Sequence, residues 1–337
     1  MQQQRCNALL AENSCHRGQS LCHLDEAPYY SSLDKKQRSF WGTLPPPADE
    51  SSWLANYPEP GQSVQSYADR ITMTSGRFKH STSASKIYLV PIVERTAVGA
   101  NLSDALWPAY MPSLSALQEW VSLFYDRETH LLPFCYLYPD DKKNDTVIFE
   151  SPNIVRKLSG RYEQGGNSFQ VHVSGLLSTL DYKHLIFGDS LDLADAFTVV
   201  GITPCDLYSC SSDLFIAGMA SANSCVLSFF RYHPHIKMHP GDWNDYGYAL
   251  RASDYPYIET EKKRPLLGSL LPRLSESSNL EYFRRAGNLL IHEIGHVYGM
   301  EHCIYYKCLM NGSGFAIITF SDNKETNILL FCVLCFR

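Results

Sequence analysis

Residues 292–302 read H-E-I-G-H-V-Y-G-M-E-H, and this run decides how the rest of the chain is read. A four-residue spacing puts His292 and His296 one helical turn apart on one face, so both rings can grip a single ion from the same side. Glu293, about 100° further round, is set beside a water on that ion rather than on the ion itself, which is the position of a base. Gly299 can take a positive φ at little steric cost, so the chain can leave the helix there and turn back. That turn would bring His302 in as a third ligand and leave a fourth position open for water. A bare H-E-x-x-H would arise by chance in roughly one chain of this composition in fifty, and Gly299 with His302 lowers that to below about one in a thousand. A helix whose histidines only fill the core or face solvent is therefore the weaker reading.

Cysteines follow at once. Cys303 and Cys308, then Cys332 and Cys335, form C-x4-C, a long gap and C-x2-C, a set that suits a tetrahedral four-thiolate zinc site. Such a site would clip the C-terminus onto the helix. Met310 lies eight residues after His302, where a methionine-bearing turn beneath the metal is expected. Four free cysteines buried as small apolar side chains are the plainer alternative.

Carried by His292, Glu293, His296, Gly299, His302, Cys303, Cys308, Met310, Cys332 and Cys335, this pattern resembles the archaemetzincins, a metzincin-type family of zinc peptidases. The motif-bearing resemblance covers about residues 280 to 337, with a weaker similarity in strand order back to about residue 85. It implies a metzincin-like α/β (α+β) fold: a mixed twisted sheet, an active-site helix and a C-terminal zinc-clipped subdomain. It further implies two zinc ions, a catalytic one on His292, His296 and His302 and a structural one on Cys303, Cys308, Cys332 and Cys335, and peptidase or aminopeptidase-like activity on peptide or protein substrates. An edge strand before the active-site helix would align the substrate backbone, and Cys225 to Tyr232 is the candidate for it. The apolar stretch Phe315 to Phe320 and the stop at Arg337 depart from the family pattern and suggest a variant C-terminus.

The 337 residues suffice for one large domain or a domain with an extension. A net charge of -6, with lysine and arginine scattered, gives no reason to expect nucleic acid as partner. The first residues lack the apolar core of a signal peptide, and the longest late apolar run, Ile328 to Phe336, is too short to span a bilayer. Eleven cysteines without a secretory signal fit reduced thiols and metal ligands better than disulfides. A cytoplasmic location, with the nucleus as a second compartment, and no membrane partner are expected; the oligomeric state is left open.

Residues 1–84, rich in Gln, Ser and Pro with Pro45, Pro46 and Pro47 in a row, read as a partly irregular extension with short segments that could dock on the main domain, 85–337. The Cys15-His16 and Cys22-His23 pairs match no usual zinc spacing. Lys86 to Val93 has strand character, with Pro91 arguing for its end or for an edge. Leu114, Leu117, Trp120, Val121 and Phe124 behind Ser113 predict an amphipathic helix over 114–126. Residues 197–203, Asp213 to Ala220 and Cys225 to Tyr232 are expected strands, and strands between helices imply a mixed α/β sheet. His233, His235 and His239 sit beside Pro234 and Pro240 and read as a loop facing solvent or substrate, not a metal site. Residues 241–278 read as a long surface connection. The active-site helix is expected from about Asn279 to Met300, capped by Ser277 or Ser278, with Leu280, Phe283, Leu290, Ile294 and Val297 in the core and Gly287 close to the sheet.

Two functions from different classes satisfy these residues. One is a zinc metallopeptidase with Glu293 as base; the other is a zinc-stabilised but catalytically idle binding protein. Glu293 favours the enzyme, since a purely structural ion needs no base. Tyr298, Tyr305 and Tyr306 lie near in sequence, but nothing singles one out as an oxyanion donor.

Overall fold

The computed structural model describes residues 61–62, 66–67, 69–70, 85–95, 107–108, 111–140, 142–162, 169–182, 186–188, 193–211, 215–221, 223–234, 274–303 and 309–312. Cys308, Cys332, Cys335, the Cys15-His16 and Cys22-His23 pairs, His235, His239, Tyr305, Tyr306, the connection 241–273 and the Phe315 to Phe320 stretch lie outside them. The chain divides into two compact units. One comprises Lys79–Met238 and Tyr246–Val297, and the other Met1–Phe78, His239–Asp245 and Tyr298–Arg337.

The first unit is built on one mixed sheet. Its strands are β1 (Lys86–Glu94), β2 (Thr129–Leu131), β3 (Cys135–Pro139), β4 (Thr146–Glu150), β5 (Val155–Tyr162), β6 (Phe169–His172), β7 (Ala196–Thr203), β8 (Asp206–Tyr208), β9 (Gly218–Ala220) and β10 (Ser224–Ser228). They run in the order β8-β6-β5-β4-β3-β1-β7-β10-β9, with β2 paired to β1. β1, β7 and β10 are parallel neighbours, whereas β3 to β6 form antiparallel pairs and β9 lies antiparallel to β10. The mixed sheet expected from the sequence is thus the architecture found.

Strand alternation sorts the core into two layers. Tyr88, Val90, Ile92, Val199 and Val226 turn to the face packed by helix α2 (Val173–Asp181), through Leu176, Leu177 and Leu180. Gly201 lies on this face because a β-carbon there would meet Leu180 at 2.7 Å and Ile92 at 2.9 Å. The alternate residues, among them Leu89, Val200, Cys225 and Leu227, are equally buried on the other face. Two helices cover the sheet there, α1 (Leu114–Tyr125) and α3 (Glu276–Val297).

Pro91 is not at an edge, contrary to expectation: β1 is a central strand, and Pro91 pairs in register with Ile202 of β7. The reason lies on its other side. Ile87 donates to Glu128 and Leu89 accepts from Leu132, so by alternation the Pro91 nitrogen points the same way, into the gap between the β2 pairing at Ile87–Leu89 and the β3 pairing at Ile92–Glu94. No ladder bond is lost there. A second correction concerns the substrate strand: β10 is interior, flanked by β7 and β9, and among the described residues the edge is β9. The run from Cys225 also breaks earlier than expected, because Phe230–Tyr232 is a 3-10 turn.

A buried ion pair locks that turn. Arg231 reaches Asp206 at 3.1 Å through Nε and 2.5 Å through Nη2, while Gln170 donates to the same carboxylate at 2.9 Å. Both charged groups are almost fully enclosed, so their mutual hydrogen bonds are what makes burial tolerable. Tyr282 of α3 donates to the Phe229 carbonyl at 3.0 Å, which ties the helix to the end of β10. Among the described residues no helix is long and apolar enough to cross a membrane.

Candidate metal centre

Helix α3 starts earlier than its sequence suggested. Ser275, not Ser277 or Ser278, accepts from the Ser278 N–H at 3.3 Å, and the helix ends at Val297. Leu280 is exposed, whereas Leu290, Ile294 and Val297 enter the core as expected and are joined by Tyr282, Ala286 and Leu289. Gly287 does permit a close approach, but against α1: a β-carbon there would lie 3.0 Å from Trp120 Nε1. Tyr125 of α1 donates to the Ile291 carbonyl at 2.7 Å, one residue before the first histidine. The helix is thereby fixed along its length before it presents any chemistry.

His292 and His296 project from one face with their rings nearly perpendicular, at 87°, and their Nε2 atoms 3.0 Å apart. Gly299 has φ 83, the left-handed conformation expected for the turn that leaves the helix. Along this continuous segment the ligand atoms of His292, His296 and His302 all lie within 4.8 Å of one another. Beyond His302, the Cys303 N–H donates to the Met310 carbonyl at 2.7 Å, and Asn311 Nδ2 donates to the Cys303 carbonyl at 2.6 Å. Met310 and Asn311 are fully buried, and they hold Cys303, the residue after the third histidine, by one backbone bond and one side-chain bond. Cys303 is buried beside His302.

Glu293 is enclosed too, and burial alone pushes its carboxyl up to about 8. A dication nearby would draw it back toward the carboxylate form. This donor set fits zinc: three imidazoles with their ligand atoms within 4.8 Å of one another, on a chain segment that also carries a buried carboxyl.

Gly218 on the edge strand is the neighbour of that carboxyl which sequence reasoning missed. A β-carbon there would lie 2.5 Å from both Cδ and Oε1 of Glu293 and 2.8 Å from Cγ. Its φ is not positive, so space and not backbone conformation calls for glycine here. A glycine within a strand run is the signal that could have found it, since it marks close approach. Gly218→Ala is expected to cost about 1–3 kcal/mol, as overpacking does in a filled interior. In a Glu293→Ala background the same change should cost under about 0.5 kcal/mol, because the obstructing carboxyl is gone. Denaturant unfolding of the four proteins checks this, and an equal cost in both backgrounds would refute the contact.

His233 is not loop-exposed as its neighbours in sequence suggested. It is fully buried, with its ring edge-on to Tyr282 at 5.1 Å, and joins no metal-binding group among the described residues.

No protein-family model matches the chain. Over 185 residues it is 30% identical to human archaemetzincin-2, a match covering 54% of this chain and 45% of that protein. With archaemetzincin-2 of Macaca fascicularis the identity is 28% over 188 residues, covering 55% and 46%. Archaemetzincin of Thermococcus kodakarensis is 26% identical over 146 residues, covering 43% and 56%. The chain thus spans about half the length of the curated relatives it matches. Among solved structures, archaemetzincin from Methanopyrus kandleri aligns at 18% identity and a TM-score of 0.35, covering 70% of this chain and 87% of that one. A zinc-dependent peptidase from Methanocorpusculum labreanum aligns at 16% and 0.36, covering 68% and 91%. These sequence matches agree with the motif running from His292 to Met310: over about half of its length the chain is similar to archaemetzincins.

Proposed function

We propose that this chain is a zinc-dependent metallopeptidase, with His292, His296 and His302 holding the catalytic ion and Glu293 acting as general base. The observation that carries the reading is the gathering of three histidine ligand atoms within 4.8 Å on the helix that also bears a buried carboxyl. Bound zinc supplies a Lewis acid that acidifies water and polarises a carbonyl. Glu293 takes the proton from the attacking water and passes it to the leaving amine. An extended peptide fits the outer edge of β9. There Ala217 accepts from Ser228 and Ser221 donates to Ser224, so the intervening Gly218 and Ala220 turn their backbone groups outward by alternation.

The reading extends to a structural zinc on Cys303, Cys308, Cys332 and Cys335, to aminopeptidase-like cleavage, and to residues 85–337 as the catalytic domain behind an extension at 1–84. The relatives' shared name supports the peptidase class, and the burial of Cys303 next to His302 is compatible with the second ion. Metal analysis and hydrolysis of a mixed peptide library, with and without chelator, test it together. Chelator-sensitive cleavage with bound zinc is the expected result, and zinc without any cleavage would instead favour the idle binding protein.

A further inference from the structure

Gln62, Tyr67 and Arg70 contact the turn between helix α3 and His302 from more than 230 positions away in sequence. The Gln62 side-chain amide makes two bonds to that turn: it donates to the Gly299 carbonyl at 2.9 Å and accepts from the Glu301 N–H at 2.9 Å. Tyr67 donates to the Tyr298 carbonyl at 3.1 Å, and Arg70 pairs with Glu301. The Arg70 pair is about half exposed on both sides and contributes little. The Gln62 bonds differ, because Gly299 and Met300 are buried and their neighbours' backbone groups need partners.

We infer that Gln62 is a positioning residue for the third metal ligand: its amide fixes the Gly299–Glu301 turn that delivers His302. The inference rests on the metal site proposed above. Past Val297 the chain has left the helical ladder, and only five residues later His302 must stand at a defined point. An amide that donates on one side and accepts on the other acts on the turn as a neighbouring strand would, holding two peptide planes at once. Cys303, on the far side of His302, is held in the same way by Met310 and Asn311. The third ligand therefore lies between two backbone anchors, one of which comes from the N-terminal region. Without Gln62 more of the ordering of the turn falls to the ion, and that free energy is subtracted from metal binding.

The test is zinc affinity of the full chain, measured by competition with a chromophoric chelator for the zinc that His296→Ala removes. Gln62→Ala should weaken that affinity by about tenfold or more, the range seen for residues that orient metal ligands. Gln62→Glu keeps the acceptor for Glu301 N–H and loses the donor for Gly299, so it should fall between wild type and Gln62→Ala and serves if the alanine variant does not fold. Hydrogen exchange of the Glu301 amide in the metal-free protein should speed up in Gln62→Ala. A residue that only stabilised the fold would lower the melting temperature and leave zinc affinity unchanged. Equal affinities in wild type and both variants overturn the inference alone. A wild-type chain that binds no zinc at the histidines overturns the functional reading and this inference with it.

Discussion

Glu293→Ala is expected to lower peptide hydrolysis by about 10²–10⁴-fold while leaving zinc content unchanged, because a positioned general base contributes on that order and Glu293 is not among the ligands. Among the described residues no hydrogen bond or ion pair to this side chain is seen. Its carboxyl is buried, burial alone raises its pKa to about 8, and Gly218 leaves room for it on the edge strand. The proposed role in proton transfer would account for a carboxyl kept in the interior at this cost. The measurement is turnover of a mixed peptide library by wild type and variant at matched zinc loading. Equal rates in the two proteins would overturn the assignment of Glu293 as base, and no rate in either would point to a binding protein.

Legibility in the sequence followed how local the interactions are. His292, His296 and Gly299 were readable because a helix and its exit turn are set by residues within a few positions, and Gly299 has the positive φ its place required. β1 and β7 were readable as continuous β-branched apolar runs and α1 by its helical apolar period, and Ser113 caps α1 where it was expected, accepting from Ala116. The run from β2 to β6 was not. β5, Val155–Tyr162, exposes Val155, Lys157 and Ser159 on one face, and its place is fixed by register with β4, which no short window contains. Pro91 misled for the same reason: its tolerance in a central strand depends on a change of partner from β2 to β3. His233 was misjudged because Pro234 signals a loop, while the aromatic ring that covers it lies on α3. Gln62, Gly218 and Asn311 act across the fold on the segment from Glu293 to Cys303, and nothing in their own neighbourhoods announces it.

Cys332→Ser should lower the zinc content of the chain by about one ion and reduce its melting temperature by well over 10 °C. Structural zinc on thiolates is folding free energy, roughly 10–16 kcal/mol for zinc-finger peptides, and a three-thiolate remnant retains only part of it. The argument begins at His302, because its neighbour Cys303 would be the first ligand of the second ion. A metal clip at Cys303 would restrain the same turn that Gln62 and Asn311 hold by hydrogen bonds, so losing it should also weaken zinc at the histidines. The two ions are therefore expected to be coupled in one direction of measurement and, by linkage, in the other: His296→Ala should weaken zinc at the cysteines by the same factor. Metal content by elemental analysis, with cobalt substitution to separate thiolate from imidazole coordination, distinguishes the outcomes. Unchanged stoichiometry in Cys332→Ser would mean that the four cysteines hold no ion, and that hydrogen bonds and the buried Met310 support the third histidine unaided.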